Sequence, residues 1–454
     1  MLPLAYAVVS LEPLGTALPL AAIVPFVALL ACIALLPLVA PHWWEHNKNR
    51  ALVSALLAIP FAIYMGVAHG EAGRHALVEA VLDYVSFLAL LGALYVVSGG
   101  IYVRGSLAGS PVSNTTMLAI GAVLANLIGT TGASVVLIRP LLRANRTRQR
   151  KQHLVLFFIF VVSNCGGMLT PLGDPPLYLG FLKGVPFEWT LGLWKQWLFV
   201  NATLLGLFFL VDSIVLDREE ESRPGAQLED ALKHERLGIE GKHNLFFLAA
   251  IVATIIARGA SVGSRRGHWA FGVQELALLG LTVTAYMLTK PAVRSANRFS
   301  FAPIVEVAVL FAGIFVTMVA PLQILNARGS ELGLTQPWQY FWATGLLSSF
   351  LDNAPTYLTF AATACGQAGV PVEGATYLAE FLAKSPENAA LLAAISCGAV
   401  LMGANTYIGN GPNFMVRAIA EENGIRMPSF FGYMLWTSLI LLPIFAAVTL
   451  LFFV

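Results

Sequence analysis

Two polar, helix-breaking stretches, Gly129-Thr-Thr-Gly-Ala-Ser134 and Leu351-Asp-Asn-Ala-Pro-Thr356, lie 222 residues apart, each inside an otherwise apolar segment. Two further breaks follow them, Ser163-Asn-Cys-Gly-Gly-Met-Leu-Thr-Pro-Leu-Gly-Asp-Pro-Pro176 and Gly403-Ala-Asn-Thr-Tyr-Ile-Gly-Asn-Gly-Pro-Asn413. Proline removes a backbone donor and clashes with the preceding turn, while glycine permits the unusual dihedrals that follow, so no continuous helix passes through them. The freed carbonyls, with Asn164, Thr170 and Asp174, make a cluster of oxygen ligands suited to a hard cation such as Na⁺. Asn405, Thr406 and Asn410 offer the same ligand types without a charge. At the other two breaks Thr130, Thr131 and Ser134 are expected to face Asp352, Asn353 and Thr356. Irregular backbone at membrane depth is tolerated only where protein or a hydrated cavity supplies partners, and matched breaks in two halves are the best sequence pointer to a transporter's binding site.

Asp352 is the sharpest single residue, because an ionisable side chain in the middle of a span is a functional hypothesis by default. Its bland alternative is a helix cap or a structural ion pair, and the same holds for Asp174, which follows a glycine and could start a half-helix. Asp174 and Asp352 are the expected Na⁺ ligands. Glu306 divides evenly between interfacial anchor and function, whereas Asp83, Asp212 and Glu275 sit near predicted span ends and read as interfacial or solvated. The histidines fall mostly in loops.

These residues need a membrane protein around them. Of 454 residues 57% are hydrophobic and 11% charged, against about a quarter charged in a soluble domain. The fold class is therefore an all-α polytopic membrane protein. About ten spans are expected, near 19–40, 51–69, 82–103, 153–182, 189–216, 243–262, 270–289, 302–324, 388–418 and 429–454, with two re-entrant helical hairpins at about 111–142 and 337–365. Residues 1–216 form a first repeat, 217–244 a polar cytoplasmic linker, and 245–454 a second repeat. Cys32, Cys165, Cys365 and Cys397 have no metal or paired spacing and read as reduced packing residues. No long basic run suggests nucleic acid, and the stretch before Leu18 lacks the charged n-region of a cleaved signal peptide.

The distribution of Lys and Arg puts both termini outside, with the loops at Lys48/Arg50, Arg143 to Lys151, Arg218 to Lys242 and Lys290 to Arg298 inside. Under this topology the first hairpin opens inward and the second outward, an inverted repeat. Leu91-Gly-Ala-Leu-Tyr95 matches Ala312-Gly-Ile-Phe315 at an offset of 221, and Thr170-Pro-Leu-Gly-Asp174 matches Thr406-Tyr-Ile-Gly-Asn410 at 236. The alignment predicts two separate clusters, Thr130, Asn164, Thr170 and Asp174 in one, Asp352, Asn353, Asn405 and Thr406 in the other.

The Leu-Asp-Asn-Ala-Pro-Thr hairpin and the Ser-Asn-Cys-Gly-Gly…Gly-Asp-Pro-Pro break resemble the ion transporter superfamily over nearly the whole chain, closest to its sodium/proton antiporter and citrate transporter members, and related to the arsenite pumps. The resemblance implies a scaffold that often dimerises and a transport domain that carries the broken helices across the membrane. It implies no resident cofactor, with Na⁺ and H⁺ as transported ions, a small carboxylate as the other substrate candidate, and the lipid bilayer as surroundings, as in a bacterial inner membrane. The dicarboxylate branch has Ser-Asn-Thr at both tips; here the tips read Gly-Thr-Thr and Asp-Asn-Ala. A cation/proton antiporter needs a buried carboxylate for which the ions compete, which Asp352 and Asp174 supply. A sodium- or proton-coupled citrate or dicarboxylate symporter needs donors for the anion, and no Lys or Arg lies within the four breaks. An enzyme of the presenilin type is disfavoured, because Pro-Leu-Gly-Asp lacks the first glycine of Gly-x-Gly-Asp.

Overall fold

A computed structural model describes residues 14–106, 109–222, 235–259, 269–372 and 376–454. The middle of the expected linker, the end of the span at 243–262 and the N-terminal residues that bear on a signal peptide lie outside the described residues. The chain is an all-α polytopic membrane protein. Eight helical stretches, from Leu20–Pro37 to Phe430–Phe452, are long and apolar enough to cross a bilayer, and Gln152–Met168, His243–Arg258 and Val273–Leu288 are shorter apolar ones. The elements used below are α1 (Val24–Val39), α2 (Asn47–Ala68), α3 (Gly70–Ser98), β1 (Tyr102–Ser106), α4 (Pro111–Ala144), α5 (Gln152–Val161), α6 (Pro175–Leu182), α7 (Trp194–Ser222), β2 (Glu235–Glu240), α8 (His243–Gly259), α9 (Val273–Leu288), α10 (Ala302–Thr317), α11 (Val319–Arg328), α12 (Pro337–Phe350), α13 (Asn353–Gln367), α14 (Pro386–Met402), α15 (Gly411–Glu422) and α16 (Phe430–Phe452).

Helix α4 is not a single rod. Gly129 inside it has φ 76° and ψ 155°, a conformation open to glycine and costly to any residue with a Cβ. The chain reverses there: the Nδ2 of Asn114 donates to the Oδ1 of Asn145 at 3.0 Å, although a straight helix would hold residues 31 apart at about 46 Å. The stretch is therefore a hairpin with its tip at Gly129. By the same reasoning α12 and α13 form a second hairpin, since the hydroxyl of Tyr340 donates to Gln367 at 2.8 Å across 27 positions that would span about 40 Å in one helix. Its tip is Leu351-Asp352, where the backbone is extended.

The segment between α5 and α6 and that between α14 and α15 are also broken, each passing through a short 3₁₀ turn before the next helix begins. Helices α6 and α15 start alike. Their N-cap residues, Asp174 and Asn410, have extended dihedrals of −146°/145° and −150°/139°, and each helix carries proline in its first two positions, where the missing N–H costs nothing.

Three features differ from expectation. Helix α3 begins at Gly70 rather than near 82, so Asp83 lies well inside it. A pair of antiparallel strands joins β1 to β2, with Tyr102 opposite Glu240 and Val103 opposite Ile239, fastening the end of the linker to the segment after α3. And α7 continues to Ser222, so Asp212 lies inside the helix rather than near its end. Asp212 is fully buried, paired with Arg148 at 2.6 Å and His153 at 2.7 Å and accepting from Asn114 at 2.9 Å. Glu275 is buried as well, accepting from Ser86 at 2.5 Å and from the N–H of Gly272 at 2.9 Å. Neither is the solvated acid that its sequence position allows.

Candidate functional site

The four breaks converge on Asp174. Asp174 is 1% exposed, caps the start of α6, and its carboxylate accepts hydrogen bonds from three elements. The hydroxyl of Thr130, at the first hairpin tip, donates to Oδ1 at 2.8 Å. The amide of Asn410, at the start of α15, donates to the same oxygen at 3.2 Å. The amide of Asn353, at the second hairpin tip, donates to Oδ2. No ion pair among the described residues involves Asp174. Asp352, the residue before Asn353 at the second hairpin tip, is another acid.

Neutral donors leave the charge of a buried carboxylate uncompensated, an arrangement that attracts a cation or a proton. Asn353 adds a second oxygen. Its Nδ2 must face the carboxylate, so the amide orientation is fixed, and its Oδ1 is buried with no hydrogen-bond partner among the described residues. An orphaned buried carbonyl oxygen costs about 1–3 kcal/mol, and it is the kind of ligand a hard cation takes. Asn405 carries a similar orphaned Oδ1 while its Nδ2 donates to Ser349 at 2.9 Å.

The backbone around the acid is packed too tightly for side chains. A Cβ on Gly173 would lie 2.0 Å from the carbonyl oxygen of Gly167, and one on Gly409 would lie 2.6 Å from that of Gly403. The two breaks fold back on themselves in the same way. Each also docks on its hairpin through one threonine: Thr170 donates to the carbonyl of Asn126 at 2.5 Å, and Thr406 to that of Ser349 at 2.5 Å.

The expected site residues fall as follows. Thr130, Asp174, Asn353 and Asn410 meet directly. Asn164 is fully buried and one contact removed: it accepts from Asn410 at 3.2 Å and donates to Asn413 at 2.7 Å. Thr131 lines a cleft that reaches Asp174. Ser134 is turned to Ser163 at 2.8 Å, and Thr170, Asn405 and Thr406 serve the hairpin contacts. Thr356 donates to the carbonyl of Asp352 at 2.9 Å. Asp352 is half-buried and caps α13, accepting from the N–H of Ala354 at 3.1 Å. A cap is one of the roles its sequence position offers, and the four breaks meet at Asp174. The two clusters drawn from the repeat alignment are not separate, since Asp174 and Asn164 bond to residues of the other half. Asn126, Ser349 and Asn413 were missed. Asn126 stands three positions and Ser349 two positions before a tip, so their offset of 223 is one more than that of the tips.

The cleft, about 590 Å³ counting the space open to solvent, lies between α3, the first hairpin tip, the break before α6 and the start of α10. Its polar lining includes Thr130, Thr131, Asp174, Tyr95 and Tyr178, with no Lys or Arg.

A path that ends on an uncompensated acid at the meeting point of four broken segments is the anatomy of a membrane carrier. Residues 15–453 match a family described as "Putative citrate transport". The chain belongs to that family. It is a secondary transporter of the membrane. No curated protein matches it.

Proposed function

We propose that the protein exchanges a monovalent cation, Na⁺ foremost, for protons by alternating access, with Asp174 as the group for which the two compete. The single observation that carries this reading is the carboxylate of Asp174, buried among neutral donors beside the orphaned Oδ1 of Asn353. With the cation bound, both acid oxygens and Asn353 Oδ1 are ligands. With the proton bound, the carboxyl group donates to that same Oδ1 once the amide turns. One occupant excludes the other, which is what exchange requires. The matched breaks, N-caps and threonine docks of the two halves support an inverted repeat, the symmetry that lets one site face either side.

The family description favours a second reading, cation-coupled transport of citrate or a similar carboxylate. Asp174 would then hold the coupling cation, and the anion would rest on it. The absence of Lys and Arg from the cleft lining speaks against that arrangement. Purified protein in liposomes with an internal pH dye separates the two. Na⁺ or Li⁺ alone driving proton movement supports exchange; proton or cation movement only when citrate is added refutes it in favour of carboxylate transport.

A further inference from the structure

A second cleft, about 480 Å³, lies around Lys183, Asp83, Glu79 and Tyr377. Its place in the fold is set by three elements that also line the first. Along α3 the second cleft touches Ala76 to Asp83 and the first Leu90 to Tyr95. Along α10 and α11 the order is reversed, as it must be for an antiparallel neighbour: the first cleft touches Pro303 to Val307, the second Phe315 to Gln323. Along α6 the first holds Asp174 and Tyr178, the second Lys183. The clefts are thus stacked end to end in one groove. From Asp83 to Leu90 is seven residues, about 10 Å of helix.

That gap is filled by aromatic rings. Phe87 stacks on Phe311 at 4.9 Å and contacts Phe315 at 5.5 Å between centroids, and all three are buried. Tyr178 seals the side of α6, accepting from Gln274 at 3.0 Å and donating to the carbonyl of Ser86 at 3.3 Å. Beyond the plug, the Nζ of Lys183 pairs with Asp83, with side chains 11% and 23% exposed. Lys183 also sits 5.9 Å from the ring centre of Tyr377 and accepts at its carbonyl from the N–H of Leu378 at 3.0 Å. The ion pair therefore ties α3 to the assembly of α6 and the segment leading into α14.

Resting on the carrier reading above, we propose that the second cleft is the opposite mouth of the same transport path, cut off from Asp174 in this structure by the aromatic plug, with the Lys183–Asp83 ion pair as the latch that holds α6 against α3 in this state. The first cleft is the mouth that reaches Asp174 here, on the face where α3 ends and the Arg143 to Lys151 loop lies. When the path changes sides the pair separates, and Asp83, with Glu79 one turn before it, becomes an acidic entrance that collects cations. A thin plug between two end-on cavities means that a small relative movement of α6 against α3 moves Asp174 from one mouth to the other.

The test uses the full-length chain with its native cysteines replaced and one reporter at a time: Val307→Cys in the first cleft, Leu322→Cys in the second. With the pair intact, an impermeant maleimide labels Val307→Cys from the face of the basic loop, and Leu322→Cys from the other. Lys183→Met raises the Leu322→Cys rate about fivefold or more and lowers that of Val307→Cys, a coupling of the usual size. Asp83→Asn does the same, and exchanging the charges, Asp83→Lys with Lys183→Asp, restores both rates. Unchanged rates within about twofold in Lys183→Met and Asp83→Asn, or both reporters labelling from one face, overturn the proposal. Labelling does not depend on which ion is carried. Reciprocal labelling without cation-driven proton movement would refute the exchange reading alone, and exchange without reciprocal labelling would refute this inference alone.

Discussion

Replacing Asp174 by asparagine separates the two things its carboxylate does, accept hydrogen bonds and carry charge. In Asp174→Asn the remaining oxygen still accepts from Thr130 and Asn410, now 2.8 and 3.2 Å from Oδ1. The new amide points at Asn353, donor against donor. Asn353 relieves this by turning its amide, because its Oδ1 has no hydrogen-bond partner to lose among the described residues. The expected loss of stability is about 1 kcal/mol or less. Asp174→Ala has no such escape. It strands three buried donors at about 1–3 kcal/mol each, so a loss of about 3–9 kcal/mol is expected, a large share of the usual 5–15 kcal/mol. For the ion the order is different. A unit charge 3 Å from a cation at an effective dielectric of 20 is worth about 5 kcal/mol, on the order of 10³–10⁴ in affinity, and both variants forfeit it. Thermal melting in detergent beside proton flux in liposomes reads both quantities. A folded Asp174→Asn with no cation-driven flux is the expected result. Flux above about half of the wild-type value with unchanged pH dependence would refute the assignment of the exchange site, and an Asp174→Asn as unstable as Asp174→Ala would refute the account of Asn353.

Asp352→Asn, which keeps a capping oxygen, should melt near the wild type, while Asp352→Ala loses about 1 kcal/mol; if Asp352→Asn abolishes flux as fully as Asp174→Asn, the acid is more than a cap. Asp212→Ala leaves Arg148 buried without its carboxylate and should cost about 3–5 kcal/mol, read as a drop in melting temperature; a shift no larger than that of a surface substitution would sink the burial argument. Gly173→Ala drives a Cβ to 2.0 Å from the oxygen of Gly167 and should yield little folded protein, whereas Gly411→Ala, with open space at its Cβ, should accumulate normally; equal yields would contradict the packing described. Arg150→Cys and Ala383→Cys, both exposed, should react with an impermeant reagent from opposite faces of the membrane, and reaction from one face would remove the inverted topology.

The breaks were legible because proline and glycine act locally. Asp174-Pro-Pro176 and Asn410-Gly-Pro412 announce helix starts whatever surrounds them, and Gly129 marks its own turn. Hairpin ends were legible to within a few residues for the same reason. What could not be read was which polar group meets which across the fold. Asn353 reaches Asp174 over 179 positions and Asn410 over 236, and an offset between repeats predicts matching places, not contacts between halves. The start of α3 at Gly70 was hidden by Glu71, Arg74 and Glu79, charges that depress hydropathy without interrupting a helix. Likewise β1 lies beside the end of α3 and takes its partner, β2, from more than a hundred residues onward, so no local pattern marks the pair.

The long reach of Asp174 also bears on how the chain is made. At roughly 5–20 residues per second, Asn353 is synthesised about 9–36 s after the acid and Asn410 about 12–47 s after it. Until then the first half holds a carboxylate with Thr130 alone at hand, in surroundings where an unmatched acid costs about 2.5–3.5 kcal/mol. The nascent first half is thus an unfinished object for a time that is long compared with helix formation. It must wait in the insertion machinery, sit shallow in the bilayer, or hold the acid protonated until its partners arrive.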